Sequence, residues 1–478
     1  MKYEVVIGLE IHAQLATNTK IFCGCCTKFG SPPNSQVCPV CLGMPGSLPV
    51  LNKQVVEFAI KMGIATESQI TRINNFARKN YFYPDLPKGY QISQFEHPIC
   101  EHGQVDIFIE KQHKKIGLTR IHMEEDAGKL VHDEGYVSKN ESLVDLNRCG
   151  VPLIEIVSEP ELGSPQEAAA YVGKIRQLVR YLGICDGNME EGSLRCDANI
   201  SLRPFGQEKL GTKTELKNMN SIKNVEKALE YEIKRQTIIL DDGEEIEQET
   251  LLWDPDKNIA KPMRSKEESH DYRYFPDPDL VPLKIDQEWL NKIHDAMPEL
   301  PDIKKKRFIN DYNLPEYDAE ILTSALDLAD YYEAVAKKID NPKLVSNWVM
   351  GEVLRLLNQD KKSLSEIYVT PEKLSDLLTA IENGKISGSA AKTVFEKLSK
   401  QDVRVSEVIE KEGLIQISDS NELEALVEHI LITNPVEVQA YKNGKTNIMG
   451  FFVGSVMRES KGKADPKMVN QILQKKLN

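Results

Sequence analysis

Two stretches of strict alternation set limits on the fold. In EVVIGLEIHAQL, Val5, Ile7, Leu9 and Ile11 share one side, while Gly8, Glu10, His12 and Gln14 share the other. In SLRCDANISLR, Leu194, Cys196, Ala198, Ile200 and Leu202 alternate with Arg195, Asp197, Asn199, Ser201 and Arg203. A period of two marks a strand with one apolar and one polar face. KIGLTRIHME is expected to be a third such strand. The apolar side of a sheet has to be covered, and helices with clear start signals lie between these strands. Ser164-Pro165-Gln166-Glu167 reads as a capping box with Pro in the first turn. Ala168, Val172, Ile175, Val179 and Leu182 follow, and Gly183 sits at the C-cap. A second helix is expected from Ser221, presenting Ile222, Val225, Leu229 and Ile233.

After about residue 290 helical periods take over, broken by Asn383-Gly384 and Asn443-Gly444. The 478 residues suffice for two to four domains. The expected class is therefore α+β and multidomain. A mixed α/β domain spans 1–290, an all-helical domain 291–405 and a small helical tail domain 406–478. The N-terminal apolar run is short and contains Glu10 and His12, unlike a secretory signal. No stretch approaches the ~18 apolar residues of a membrane span, so a cytoplasmic protein is expected. The net charge of −13 argues against wrapping a nucleic acid, yet residues 441–478 carry a net +6. A basic tail on an acidic body is the asymmetry expected when one end touches phosphates.

Five of the nine cysteines crowd together: Cys23, Cys25, Cys26, Cys38 and Cys41. In a cytoplasmic chain such clustering means metal before disulfide. Two thiolate pairs on two short turns close a tetrahedral zinc site over residues 23–41 with no open position, hence a structural one. The second pair is a regular C-x-x-C. The first is C-x-C or C-x-x-C, and the pattern does not choose between Cys25 and Cys26.

Carboxylates form a second group. Glu10 and His12 share a polar strand face, which calls for a divalent cation or a salt-bridged surface. Glu124 and Glu125 are adjacent and should point to opposite sides. Glu191 and Asp197 have the same parity, and Glu215 is flanked by Lys213 and Lys217. Several acids with one imidazole suit Mg²⁺, which prefers oxygen and bridges nucleotide phosphates. Cations for such phosphates are Arg78, Lys79 and Lys88, in a loop dense in aromatics (Tyr81, Phe82, Tyr83, Tyr90). Tyr272, Tyr274 and Phe275 make a second aromatic set, and rings interleaved with cations stack bases or sugars. There is no P-loop, no G-x-G-x-x-G and no kinase motif set, so an ATP site here is of an unusual type.

Long segments then carry a resemblance: VIGLEIHAQL, KIFCGCC…CPVCLGMPGSLPVLN, RKNYFYPDLPKGYQISQ, HMEEDAGK, DLNRCGVPLIEIVSEP, EEGSLRCDANISLR, TELKNMNS and DYRYFPDPDL. Together they resemble the family of B subunits of glutamine-dependent aspartyl/glutamyl-tRNA amidotransferases, the GatB/GatE family. The resemblance implies a cradle-like N-terminal domain with a magnesium-dependent kinase site. It implies ATP-driven phosphorylation of the side-chain carboxylate of Asp-tRNA(Asn) or Glu-tRNA(Gln), followed by amidation. It also implies a tail domain that grips tRNA, a glutaminase A subunit as ammonia source and a small C subunit that braces the complex. Within it, Glu10, His12, Glu124, Glu125, Glu191, Asp197 and Glu215 are the expected catalytic set. Glu10, His12 and Glu125 are the expected first magnesium ligands. Glu191, Asp197 and Glu215 make a second metal set or a clamp on the amino acid and ammonia. Arg78, Lys79 and Lys88 would meet the ATP phosphates, and Cys23, Cys25, Cys38 and Cys41 would hold zinc.

Two other readings compete. A non-catalytic zinc-containing tRNA-binding scaffold explains the tail and the cysteines, but has no use for acids that repel phosphate. A self-contained ATP-dependent ligase for free amino acids leaves the basic tail idle.

Overall fold

The computed structural model describes residues 2–110, 112–131, 141–263, 272–416, 420–460 and 463–477. Its first compact unit runs Met1–Leu300 and its second Pro301–Asn478.

The first unit is built on a 12-stranded sheet. Its main strands are β1 (Tyr3–Gln14), β2 (Ala77–Asn80), β3 (Tyr90–Ser93), β4 (Cys100–Ile109), β5 (Gln112–Glu125) and β6 (Pro152–Ser158). They continue with β7 (Leu194–Pro204), β8 (Thr214–Lys217), β9 (Thr250–Asp254), β10 (Ile259–Pro262) and β11 (Arg273–Pro276). The spatial order is β10-β9-β8-β7-β1-β6-β5-β3-β2-β11, with β4 also paired to β5. All these pairs are antiparallel except β8–β9.

The alternation of β1 and β7 resolves as the sequence predicts. Ile7, Leu9, Ile11 and Ala13 are buried, as are Leu194, Cys196, Ala198 and Ile200. This face packs in one core with α1 (Lys53–Ala65), α2 (Pro165–Tyr181) and α3 (Ile222–Asp241). Ser164 caps α2 by accepting from Glu167 N at 3.1 Å. The Glu167 carboxylate accepts from Gly163 N at 2.7 Å, one residue before the expected box partner. Gly183, at φ +65°, takes the left-handed turn that ends α2. A further helix, α4 (Gln287–Asp295), belongs to this unit, because Trp289 Nε1 donates to Glu57 Oε1 on α1 at 3.0 Å.

The second unit is helical and holds two separate apolar clusters. One runs from Phe308 to Ile409 and the other from Leu423 to Leu477. No helix among the described residues is long and apolar enough to cross a membrane.

Candidate active site

The polar face of β5, β6, β1, β7 and β8 gathers the charged side chains. Antiparallel register lines them up: His122 on β5 stands across from Glu155 on β6, which faces His12 on β1, which faces Arg195 on β7. His12 Nε2 lies 3.3 Å from Glu155 Oε2 and 3.7 Å from Glu124 Oε1. His122 Nε2 approaches the same two acids, at 3.4 Å and 3.6 Å. Two carboxylates thus sit between two imidazoles. Glu124 is 4% exposed and His122 3%. The ligand atoms of His12, Glu124 and Glu155 all lie within 4.8 Å of one another. Burial works against protonating His12, but the carboxylates of Glu155 and Glu124 outweigh it and carry the imidazole up to about 9. Burial also works against ionising Glu155, yet His122, His12 and Arg120 hold its carboxyl well below the usual range.

Nearby on the same face, Glu10 faces Asp197 on β7. Asn199 Nδ2 donates to Glu10 Oε1 at 2.9 Å. Lys217 Nζ bridges Asp197 at 2.8 Å and Glu215 at 2.9 Å. Burial, then Glu155, Glu215 and Asp197, raise the Glu10 carboxyl. Glu10, His12, Glu124, Asp197 and Glu215 therefore share one face.

Two expected members do not join them. Glu125 does not stand with His12: as the neighbour of Glu124 on a strand it turns to the other side. There it pairs with Lys88 and accepts from Ile92 N at 2.8 Å. Of the expected Glu10, His12 and Glu125 set, Glu125 thus lies apart, and Glu124 and Glu155 stand beside His12. Glu191 lies in an exposed turn before β7, where its backbone N meets Asn188 Oδ1 at 3.2 Å. Gly192 at φ +79° breaks the strand there, so parity with Asp197 does not extend to Glu191. Conversely, reading the sequence alone misses Glu155 and His122. The signals are there: Glu155 is the one charge inside the apolar run VPLIEIV, and His122 has the parity of Glu124.

The cations also divide. Arg78 is committed to Asp277 at 2.8 Å and Asp279 at 2.7 Å, with its guanidinium 4.2 Å from the Tyr90 ring centre. Lys88 is committed to Glu125. Both of these expected phosphate cations are thus paired with carboxylates. Lys79 has no carboxylate partner among the described residues and sits 4.8 Å over the Tyr272 ring. Across from it on β11, Tyr274 stacks on Phe95 at 4.0 Å. Burial, with Glu124 and Glu155 adding to it, raises the Tyr274 hydroxyl, which ties this ring to the acidic face.

The sulfurs of Cys23, Cys25, Cys38 and Cys41 lie within 4.8 Å of one another. Cys26 is exposed, its backbone held in a bridge to Thr19. Lys20 is 0% exposed and its Nζ lies 3.7 Å from Cys41 Sγ. Cys23, through a hydrogen bond, and Lys20, through its charge, hold the Cys41 thiol low. Cys100, with His97 and His102 close in sequence, is fully buried, and burial pushes its thiol up, so it is not an activated nucleophile.

A family profile described as the GatB/GatE catalytic domain matches residues 5–291, and one described as the GatB domain matches residues 330–477. Relatives named as the B subunit of aspartyl/glutamyl-tRNA(Asn/Gln) amidotransferase match along the whole chain. That of Geobacter sp. (strain M21) is 58% identical over 100% of both chains. That of Carboxydothermus hydrogenoformans is 54% identical over 100% of this chain and 99% of its own. That of Chlorobium phaeobacteroides is 54% identical over 100% of both. Matched by its catalytic-domain profile over more than half its length, the chain belongs to the GatB/GatE family.

Proposed function

We propose that the chain is the B subunit of a tRNA-dependent amidotransferase. It uses ATP to activate the side-chain carboxylate of Asp-tRNA(Asn) or Glu-tRNA(Gln), which ammonia then converts to the amide. The observation that carries this reading is the His12, Glu124 and Glu155 group, with ligand atoms within 4.8 Å on one polar sheet face. A scaffold has no use for such acids, which repel RNA unless an ion lies among them.

The chemistry needs activation because a carboxylate does not expel oxide. One carboxylate oxygen attacks the γ-phosphorus of ATP and ADP leaves. The ammonia lone pair then attacks the acyl carbon, the bond to the phosphate oxygen breaks and phosphate departs. Oxygen donors with an imidazole fit magnesium, and His12, Glu124 and Glu155 would hold it, with Glu10 beside them. When bound, it neutralises phosphate charge and aligns the attacking and leaving oxygens. Glu10, Asp197 and Glu215, with Lys217 between the latter two, are suited to gripping the α-ammonium of the esterified amino acid and the incoming ammonia. Lys79, Tyr81, Tyr272 and Tyr274 border the nucleotide. The four thiols fit a structural zinc. Ammonia comes from a glutaminase A subunit, and a small C subunit completes the complex.

The basic tail grips tRNA in this scheme. Cutting after Gln416 spares the apolar cluster that includes Val405, Val408 and Ile409. In the reconstituted complex this truncation is expected to abolish tRNA-dependent amidation while ATP binding persists. Undiminished amidation would refute the tail's role, and loss of amidation with full tRNA affinity would do the same.

Protons compete with the ion for His12. The folded imidazole titrates at about 9, above its ordinary 6.5. Its charge stabilises the ion-free protein fully below 6.5, and that stability is lost as pH rises through about 9. Ion binding displaces the proton, so Mg²⁺ affinity is expected to climb from pH 7 to pH 9, with proton release. Titration calorimetry in buffers of different ionisation heat measures both.

A further inference from the structure

The acidic face contains a cation that nothing in the scheme above uses. Arg120, on β5, has the parity of His122 and Glu124, and so points to the same side. It stands across from Val157, which in turn faces Glu10. Val157 is the one residue between Arg120 and Glu10 along that row. Glu101 is its partner on β4, yet no ion pair within 4.0 Å joins them. Glu155 is drawn to Arg120 electrostatically but directs its carboxylate at His12 and His122. Arg120 Nε is buried and has no hydrogen-bond partner among the described residues. His122 Nδ1 and Arg195 Nε, on the same face, are also buried and unpartnered among them.

Buried donors without partners are costly, and a guanidinium presents several in a planar fork that matches phosphate or carboxylate oxygens. Of the other cations of this face, Arg195 pairs with Asp126 at 3.0 Å and Lys217 with two acids, while Lys79 sits over the Tyr272 ring. Resting on the reading of this face as the phosphoryl-transfer site, we propose that Arg120 takes the anionic oxygens of the γ-phosphoryl group as it passes from ATP to the substrate carboxylate. It then keeps hold of the acyl phosphate until ammonia displaces it. The arginine makes and breaks no covalent bond. It offers paired N–H donors where charge moves from the bridging oxygen to ADP, and later to free phosphate. A phosphoryl group between the ion held by Glu124 and Glu155 and the guanidinium of Arg120 would be clamped from two sides, while the acids around Glu10 hold the amino group.

The test uses the reconstituted heterotrimer with misacylated tRNA, ATP and free ammonia, which bypasses the glutaminase. Arg120→Ala is expected to lower kcat by about 10³-fold, the scale of an arginine that stabilises a phosphoryl transition state. Mg²⁺ and tRNA affinities should stay within about threefold, a window far narrower than that loss. Millimolar guanidinium should restore part of the rate and methylammonium should not. Arg120→Lys keeps the charge and the fold but not the fork, and about a tenfold loss is expected. Full activity in Arg120→Lys overturns the proposal. So does a folded Arg120→Ala enzyme that guanidinium leaves unrescued, or one in which ion affinity falls while kcat holds, since Arg120 would then act only through Glu155. Glu124→Gln separates the two claims. If it is inactive while Arg120→Ala is not, only the arginine assignment fails. If both variants are active, the transfer site itself is elsewhere.

Discussion

Glu124→Gln is expected to reduce ATP-dependent amidation from free ammonia by about 10³-fold, with little change in tRNA affinity. The substitution is isosteric, so packing is kept. It removes one of the two carboxylates that lie between His12 and His122, the one on β5, 3.7 Å from His12 and 3.6 Å from His122. The ion would lose a charged ligand from a buried site, and the several kcal/mol of transition-state stabilisation such an ion supplies correspond to about that factor. Its neighbour supplies the control. Glu125→Gln leaves Lys88 buried without a carboxylate, and breaking such a pair costs about 3 kcal/mol or more of stability. Loss of rate therefore belongs to Glu124 and loss of unfolding free energy to Glu125. Single-turnover amidation and denaturant unfolding of both variants read the two effects separately. Near-wild-type turnover by the Glu124 variant would remove the ion site from this face.

The difference between these two residues also marks how far the sequence can be read. Strand parity is a local property, so β1 and β7 are legible, and so is the opposite orientation of Glu124 and Glu125. Which of the two meets His12 is a question of register between strands more than a hundred residues apart. That register runs through β6, whose Glu155 pairs across to His12 on one side and His122 on the other. An acid buried in an apolar strand is the clue, and it gains meaning only once its neighbours are known. Parity fails for Glu191 because it presumes an unbroken strand, and the turn at Gly192 comes between. Arg78 and Lys79 illustrate the same limit. Equally basic and adjacent, they face opposite sides, and Arg78 is neutralised by Asp277 and Asp279, some two hundred residues away. Composition has no access to such long-range capture. The grouping of Glu10, Asp197 and Glu215 is partly different: Asp197 and Glu215 lie on strands that follow one another in sequence, whereas Glu10 joins them only through the β1–β7 register, again between strands more than a hundred residues apart.

The cysteine loop leads to the other large effect. Residues 23–50 hold few buried apolar side chains; Cys41 is buried, whereas Phe29, Leu48 and Val50 are exposed. Such a segment has little hydrophobic reason to keep its shape, and four convergent thiols supply one. Cys41→Ser is expected to eliminate stoichiometric zinc, because it removes the most buried thiol of the set. Structural zinc binding is worth about 10 kcal/mol in small domains. Here the loss should stay local, since the sheet has its own core, so proteolysis should start within 23–50 while the cooperative unfolding of the first unit persists. Lys20 sharpens the test. It is fully buried beside Cys41 and has no carboxylate within 4.0 Å among the described residues, so a thiolate cluster is the anion that balances its charge. A four-thiolate zinc site carries two net negative charges, and Lys20 offsets one of them. Lys20→Met should leave the metal bound but speed its loss to chelators by about 10–100-fold, the usual scale for groups one step removed from a metal. Zinc content by elemental analysis and release followed with a chromogenic chelator measure both variants. Full zinc occupancy in Cys41→Ser would show that this thiol is not a ligand, and unchanged release from Lys20→Met would show that its charge is balanced elsewhere.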